Sequence, residues 1–128
     1  MIVDTSAFLS VILGEPDAES YLERMTSAGS LAVSAATLTE AFIVAEARQG
    51  REAATDLAAL LADLDVDVVA FDEEQAELAS SAWRRFGKGR HPAGLNLGDT
   101  FSYALAAHRG EALLFKGKDF AATDIPSA

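Results

Sequence analysis

The chain has 128 residues, half of them apolar, with no cysteine, two histidines and a formal net charge of −10. That is the length of one domain with enough apolar content for a buried core, which excludes disorder, while the missing cysteine excludes disulfides, thiolate zinc sites and thiol nucleophiles. The charge is lopsided: residues 1–83 carry three basic and sixteen acidic side chains, residues 84–128 seven basic and four acidic. An acidic body with one basic face follows, and the overall acidity argues against a generic nucleic-acid binder.

In chain order, Ile2–Asp4 reads as a short buried strand, followed by a helix from Thr5 to about Leu13 that Gly14 stops. Pro16 suits the first turn of a second helix running to about Thr26. Leu31–Val33 reads as a second strand, and Ser34 can cap a long helix to about Gln49, closed by Gly50. A further helix covers roughly Arg51–Asp63, and Val66–Phe71 has the β-branched content of a third strand. Asp72 caps a helix through about Phe86. Residues 87–94 hold three glycines and a proline and read as a loop. Asn96 or Gly98 opens a last helix ending at Gly110, Ala112–Phe115 is a fourth strand, and the tail beyond Phe120 reads as irregular. Strands alternating with helices predict an α/β fold: a single domain over residues 1–128, with a parallel sheet between helices. The first Lys or Arg is Arg24, and the apolar run Ala7–Leu13 is too short to span a bilayer, so a soluble cytoplasmic protein is expected.

Four acids stand where stability alone would not put them. Asp4 ends a buried strand, at the sheet edge where open α/β folds bind ligands, with Ser6 two residues on to orient it. Glu40 lies mid-helix, and at helical spacing it meets Ala36, Thr37, Ile43 and Val44 rather than other charges. Asp99 lies in the first turn of its helix beside Gly98, with Ser102 and Tyr103 on the same face. Asp119 follows the fourth strand, and Asp124 competes for the same role. The ordinary readings are helix caps, a solvated helical Glu and turn residues. Taken together, the four carboxylates suit a hard divalent cation, Mg²⁺ or Mn²⁺, because no thiolate and no closely spaced histidine pair competes. The segment Arg84-Arg85-Phe86-Gly87-Lys88-Gly89-Arg90-His91 reads either as cations at a helix end or as a guide for a phosphate backbone, with Phe86 or His91 available to stack on a base.

The opening Ile2-Val3-Asp4-Thr5-Ser6-Ala7, the helical Thr39-Glu40-Ala41, the segment Gly94-Leu95-Asn96-Leu97-Gly98-Asp99 and the ending Leu114-Phe115-Lys116-Gly117-Lys118-Asp119-Phe120 together resemble a PIN domain, and more closely the VapC toxins of bacterial toxin–antitoxin pairs. The resemblance implies a PIN-like three-layer α/β/α sandwich with four to five parallel strands, and a metal-dependent endoribonuclease that inhibits growth. It carries the family's acids onto Asp4, Glu40 and Asp99, with Asp119 as the fourth, and gives Ser6 and Asn96 supporting roles. It implies Mg²⁺ (or Mn²⁺) as cofactor, an RNA substrate, products with a 5′-phosphate and a 3′-hydroxyl, a homodimer, and a VapB-type antitoxin crossing the groove. The basic Arg84, Arg85, Lys88, Arg90 and Lys118 are, by their charge, the expected contacts to that RNA. One position departs from the pattern: Lys118 stands where related toxins often have an acid. Two rivals remain in view. A haloacid-dehalogenase-type phosphatase would use Asp4 as nucleophile and Lys116 or Lys118 on phosphate, but its usual second Asp is replaced here by Ser6. A receiver-like module would bind Mg²⁺ without cleaving anything.

Overall fold

Side-chain alternation along four very short strands divides the core between the two faces of one sheet. In the computed structural model, which describes residues 1–128, Ile2, Ala32 and Leu113 belong to one apolar cluster, and their neighbours Val3, Val33 and Leu114 to the other. The strands are β1 (Ile2–Val3), β2 (Ala32–Ser34), β3 (Asp67–Val69) and β4 (Leu113–Leu114), all parallel, in the order β3-β2-β1-β4. Ile2 pairs in register with Ala32 on one side and Leu113 on the other.

Helices α1 (Thr5–Ile12), α2 (Ala18–Ser27), α3 (Ala35–Gln49) and α4 (Arg51–Asp63) cover the Val3 face, contributing Phe8, Met25, Ala41 and Leu57 to its core. Helices α5 (Glu73–Phe86) and α6 (Leu97–Arg109) cover the other face with Ala82, Phe86, Tyr103 and Leu105. The result is the expected α/β/α sandwich. Chain connections leave β1 toward β2 and reach β4 from the far side, so the order reverses beside β1. In parallel sheets that reversal opens a crevice at the carboxyl ends of the strands, and Asp4 is the residue that follows β1 there.

Three local expectations change. The third strand is shorter than Val66–Phe71 because it is the sheet's outer strand; its Asp67 and Val68 face solvent, and Asp67 pairs with Arg109 at 3.0 Å. The second helix begins at Ala18 rather than Pro16, since the Asp17 carboxylate makes no cap and is taken instead by Ser10 Oγ at 2.6 Å and by Lys116 Nζ at 3.0 Å. The tail is not wholly irregular: after a 3₁₀ turn at Phe120–Ala122, Leu113 N–H donates to Pro126 at 2.9 Å and Ala128 N–H donates to Leu113 at 2.9 Å, covering the outer edge of β4. No helix is long and apolar enough to cross a membrane.

Candidate active site

Asp4 is 4% exposed, and three hydrogen bonds hold its carboxylate. As N-cap of α1 it accepts on Oδ2 from Ser6 N–H at 3.0 Å and from Ser6 Oγ at 2.6 Å. On Oδ1 it accepts from Ser102 Oγ, reaching across from α6, at 2.6 Å. Ser102 in turn meets Thr37 Oγ1 of α3 at 3.1 Å, and both hydroxyls are buried. Ser6 Oγ itself accepts from Lys116 N–H, just beyond β4, at 2.9 Å. Cap and catalytic candidate are one residue here, tied to two further elements.

Glu40 stands next to this network. Thr5 Oγ1 donates to its Oε1 at 2.7 Å, and its other oxygen lies against Gly98, where an added Cβ would fall 1.9 Å from Oε2. Only glycine at 98 lets α6 come this close to the Glu40 carboxylate. Asp99 is fixed by a capping box: Asn96 Oδ1 accepts from Asp99 N–H at 2.9 Å, while Asp99 Oδ2 accepts from Asn96 N–H at 3.0 Å. Burial pushes the Asp99 carboxyl up to about 7, opposed by the Asn96 N–H and reinforced by the charges of Asp4 and Asp119 and by contact with the Asp119 carboxyl. Asp119 is exposed and caps nothing with its side chain.

Sequence-predicted Asp4, Ser6, Glu40, Asn96, Asp99 and Asp119 are therefore neighbours at one sheet edge. None of the four acids pairs with a Lys, Arg or His, whereas Glu15, Asp17, Asp67, Glu111 and Asp124 all do. With side chains placed as they are, no three acidic or His groups close into a metal cage. The donors are gathered but not yet converged, and their all-oxygen chemistry fits a hard divalent cation.

Other candidates lie elsewhere. Asp124 is engaged by Arg85 at 2.9 Å and by Tyr103 Oη at 2.6 Å, which hold its carboxyl below the ordinary range, so it does not compete with Asp119. Burial and that same hydrogen bond push the Tyr103 phenol up to about 12. Arg85 is thereby occupied at the far end of α5, and its cluster mates Arg84, Lys88 and Arg90 are exposed without ion pairs. Lys118 is exposed and likewise unpaired. Phe86 is not free to stack on a base: His91, Arg85 and Tyr103 enclose it. Trp83 is the exposed aromatic of this segment, with Arg90 lying 4.7 Å over its ring. Lys116, the phosphate ligand of the phosphatase rival, is bound by Glu15 and Asp17, which raise its ammonium's hold on the proton. Sequence alone places Ser102 and Thr37 beside Asp99 and Glu40 without giving either a role at the site. Their only signal was helical spacing, Ser102 three residues after Asp99 and Thr37 three before Glu40.

The model of the PIN domain matches residues 1–126. Ribonuclease VapC30 of Mycobacterium tuberculosis is 45% identical over 125 residues, covering 98% of this chain and 95% of that protein. Ribonuclease VapC of Mycolicibacterium smegmatis is 45% identical over 98% of this chain and 97% of its own length. Among solved structures, the sarcin-ricin loop cleaving toxin VapC20 of M. tuberculosis superposes with a TM-score of 0.82 at 21% identity, covering 99% of this chain and 97% of that one. A chain of a toxin–antitoxin complex from Klebsiella pneumoniae gives 0.69 at 19% identity, over 96% of this chain and 92% of that one. At that level of identity the two structures confirm the fold, and the full-length matches at 45% carry the kinship: the chain belongs to the PIN-domain family, among its VapC ribonucleases.

Proposed function

We propose that this chain is a divalent-metal-dependent endoribonuclease in which Asp4, Glu40, Asp99 and Asp119 hold Mg²⁺, with Mn²⁺ able to substitute. The observation that carries the reading is the electrostatic one. Four carboxylates are gathered at the sheet edge with no Lys, Arg or His paired to any of them, and only hydroxyl and amide groups of the protein answer their charge. When bound, a divalent ion supplies the missing positive charge, makes water a better nucleophile and offsets charge on the phosphate. The chain's own part is positioning. Ser6 and Ser102 fix Asp4; Thr5 holds one oxygen of Glu40, while the other rests against Gly98 with no hydrogen bond; the Asn96 cap takes one oxygen of Asp99 and leaves the other outside the cap.

The substrate's backbone would run from this edge toward Lys118 and the basic side of α5. There Arg84 and Lys88 border a groove of about 680 Å³ lined by Phe71, Trp83, Leu95 and Phe101, apolar enough to take a base. The partner reading is a VapB-type antitoxin and a homodimer. Exposed Ile43 and Leu97, 63% and 73% accessible, flank Glu40 on α3 and α6 and give such a partner an apolar foothold beside the acids. A cytoplasmic setting agrees with the absence of cysteine.

The test is cleavage of structured and unstructured RNAs by purified protein with Mg²⁺ or Mn²⁺, beside Asp4→Ala and EDTA controls. Wild type should cut only with metal, and Asp4→Ala should not cut at all. Mn²⁺ should also raise the melting temperature of wild type and leave that of Asp4→Ala unmoved, because only the former gains a ligand in the folded state. Equal cleavage by both proteins, or cleavage that survives EDTA, overturns the reading.

A further inference from the structure

The two serines that grip Asp4 are built alike, and the lone-pair count separates their roles. An ionised carboxylate offers about four acceptor positions, two on each oxygen. Ser6 takes both on Oδ2, through its N–H and its hydroxyl. Ser102 takes one on Oδ1, so the single position left to Asp4 is on the oxygen that Ser102 holds. Ser102 has one hydroxyl proton and two oxygen neighbours. The carboxylate cannot donate, so the proton goes to Asp4 at 2.6 Å, and the 3.1 Å contact must be Thr37 donating to Ser102. Thr37 sits on α3, Ser102 on α6 and Asp4 after β1, so this hydroxyl chain couples three elements at a buried point.

We propose that Ser102, with Thr37 behind it, is the positioning residue that aims the one free lone pair of Asp4 at the cation. This rests on the metal-binding reading above. Ser6 anchors the carboxylate through Oδ2; Ser102 fixes the direction of Oδ1, the oxygen with the free position. Partners that orient a metal's ligands typically contribute on the order of 10- to 100-fold in metal affinity. Ser102→Ala should therefore weaken Mn²⁺ binding by about tenfold. Thr37→Val, which keeps the shape and removes only the hydroxyl, should weaken it by a smaller factor. Because Thr37 acts through Ser102, the double variant should bind Mn²⁺ no more weakly than Ser102→Ala alone.

The experiment is calorimetric titration of Mn²⁺ alone into metal-free wild type, Asp4→Asn, Ser102→Ala, Thr37→Val and the double variant, with melting temperatures of each. Excess Mn²⁺ should restore RNA cleavage in Ser102→Ala, since only the metal's hold is weakened. If Asp4→Asn loses binding while both hydroxyl variants match wild type in affinity and merely melt lower, the two residues are structural and the positioning role is overturned. Should Ser102→Ala fail to fold, Thr37→Val decides alone by the same criterion. If wild type itself binds no Mn²⁺, or Asp4→Asn binds as well as wild type, the metal reading fails and this inference goes with it.

Discussion

At the scale of single residues, Gly98 gives the sharpest separation of chemistry from stability. Its backbone is helical and not in the left-handed region, so alanine is conformationally welcome there and should gain up to about 1 kcal/mol of helix propensity. The added Cβ, however, occupies the place of Glu40 Oε2. That oxygen ends a flexible side chain, so it can swing aside at little cost to the fold. Gly98→Ala is accordingly expected to melt at or above the wild-type temperature while losing most of its RNA cleavage and Mn²⁺ affinity. Full activity in that variant would show that Glu40 does not work from its present position. That the four acids lie near one another was legible from the strand-end place of Asp4, the apolar helical neighbours of Glu40, and the sheet-edge positions of Asp99 and Asp119. Ser102 and Thr37 were not, because helices hold many such hydroxyls and only the folded contact distinguishes these two. Arg85 and Asp124 misled in the opposite way: each was a plausible site residue alone, and 39 residues of separation hid that they pair with each other.

Among the elements, caps explain most of what could be read from the chain. Ser34, Asp72 and Asn96 each accept from the first turn of the helix they precede, at Ala36, Gln75 and Asp99 N–H respectively. Where the start rested on a proline instead of a cap, as at Pro16, the helix begins two residues later, and Asp17 at its N-cap gives its carboxylate to Ser10 and Lys116. Strand lengths were less legible because two- and three-residue strands carry little periodicity. The pairing of Leu113 with the tail near Ser127 leaves no local signature at all. Asn96 joins the element scale to the site, since the same cap that starts α6 orients Asp99. Asn96→Ala should lower unfolding free energy by about 1 kcal/mol, read as a shift in the urea midpoint with unchanged slope. Asn96→Ser should recover most of that loss. A midpoint unmoved by Asn96→Ala would mean that the cap contributes nothing to α6.

Across the whole molecule, the site's charge should be visible in the pH dependence of folding without any substrate. Metal-free protein folds an Asp99 whose carboxyl titrates at about 7 against an ordinary 3.8 in the unfolded chain. Between those values the folded state keeps a proton that the unfolded state has released. Stability must then fall as pH rises through that window. The net charge of −10 pushes the same way through self-repulsion. Below the window the sign reverses: Asp17 is held down by Ser10 and Lys116, and Asp124 by Tyr103 and Arg85, so their contribution, present above 3.8, is lost as they protonate. Urea unfolding from pH 3 to 8 should thus show a maximum in the weakly acidic range and a decline toward neutrality. Asp99→Asn removes the titrating group; it should flatten the decline and melt several degrees above wild type at neutral pH. Saturating Mn²⁺ should flatten the wild-type decline too, since ionised carboxylates gathered without a cation are what the metal relieves. If the decline persists unchanged in Asp99→Asn, the acidic edge is not where this fold carries its electrostatic strain, and the case for a cation there loses its main physical support.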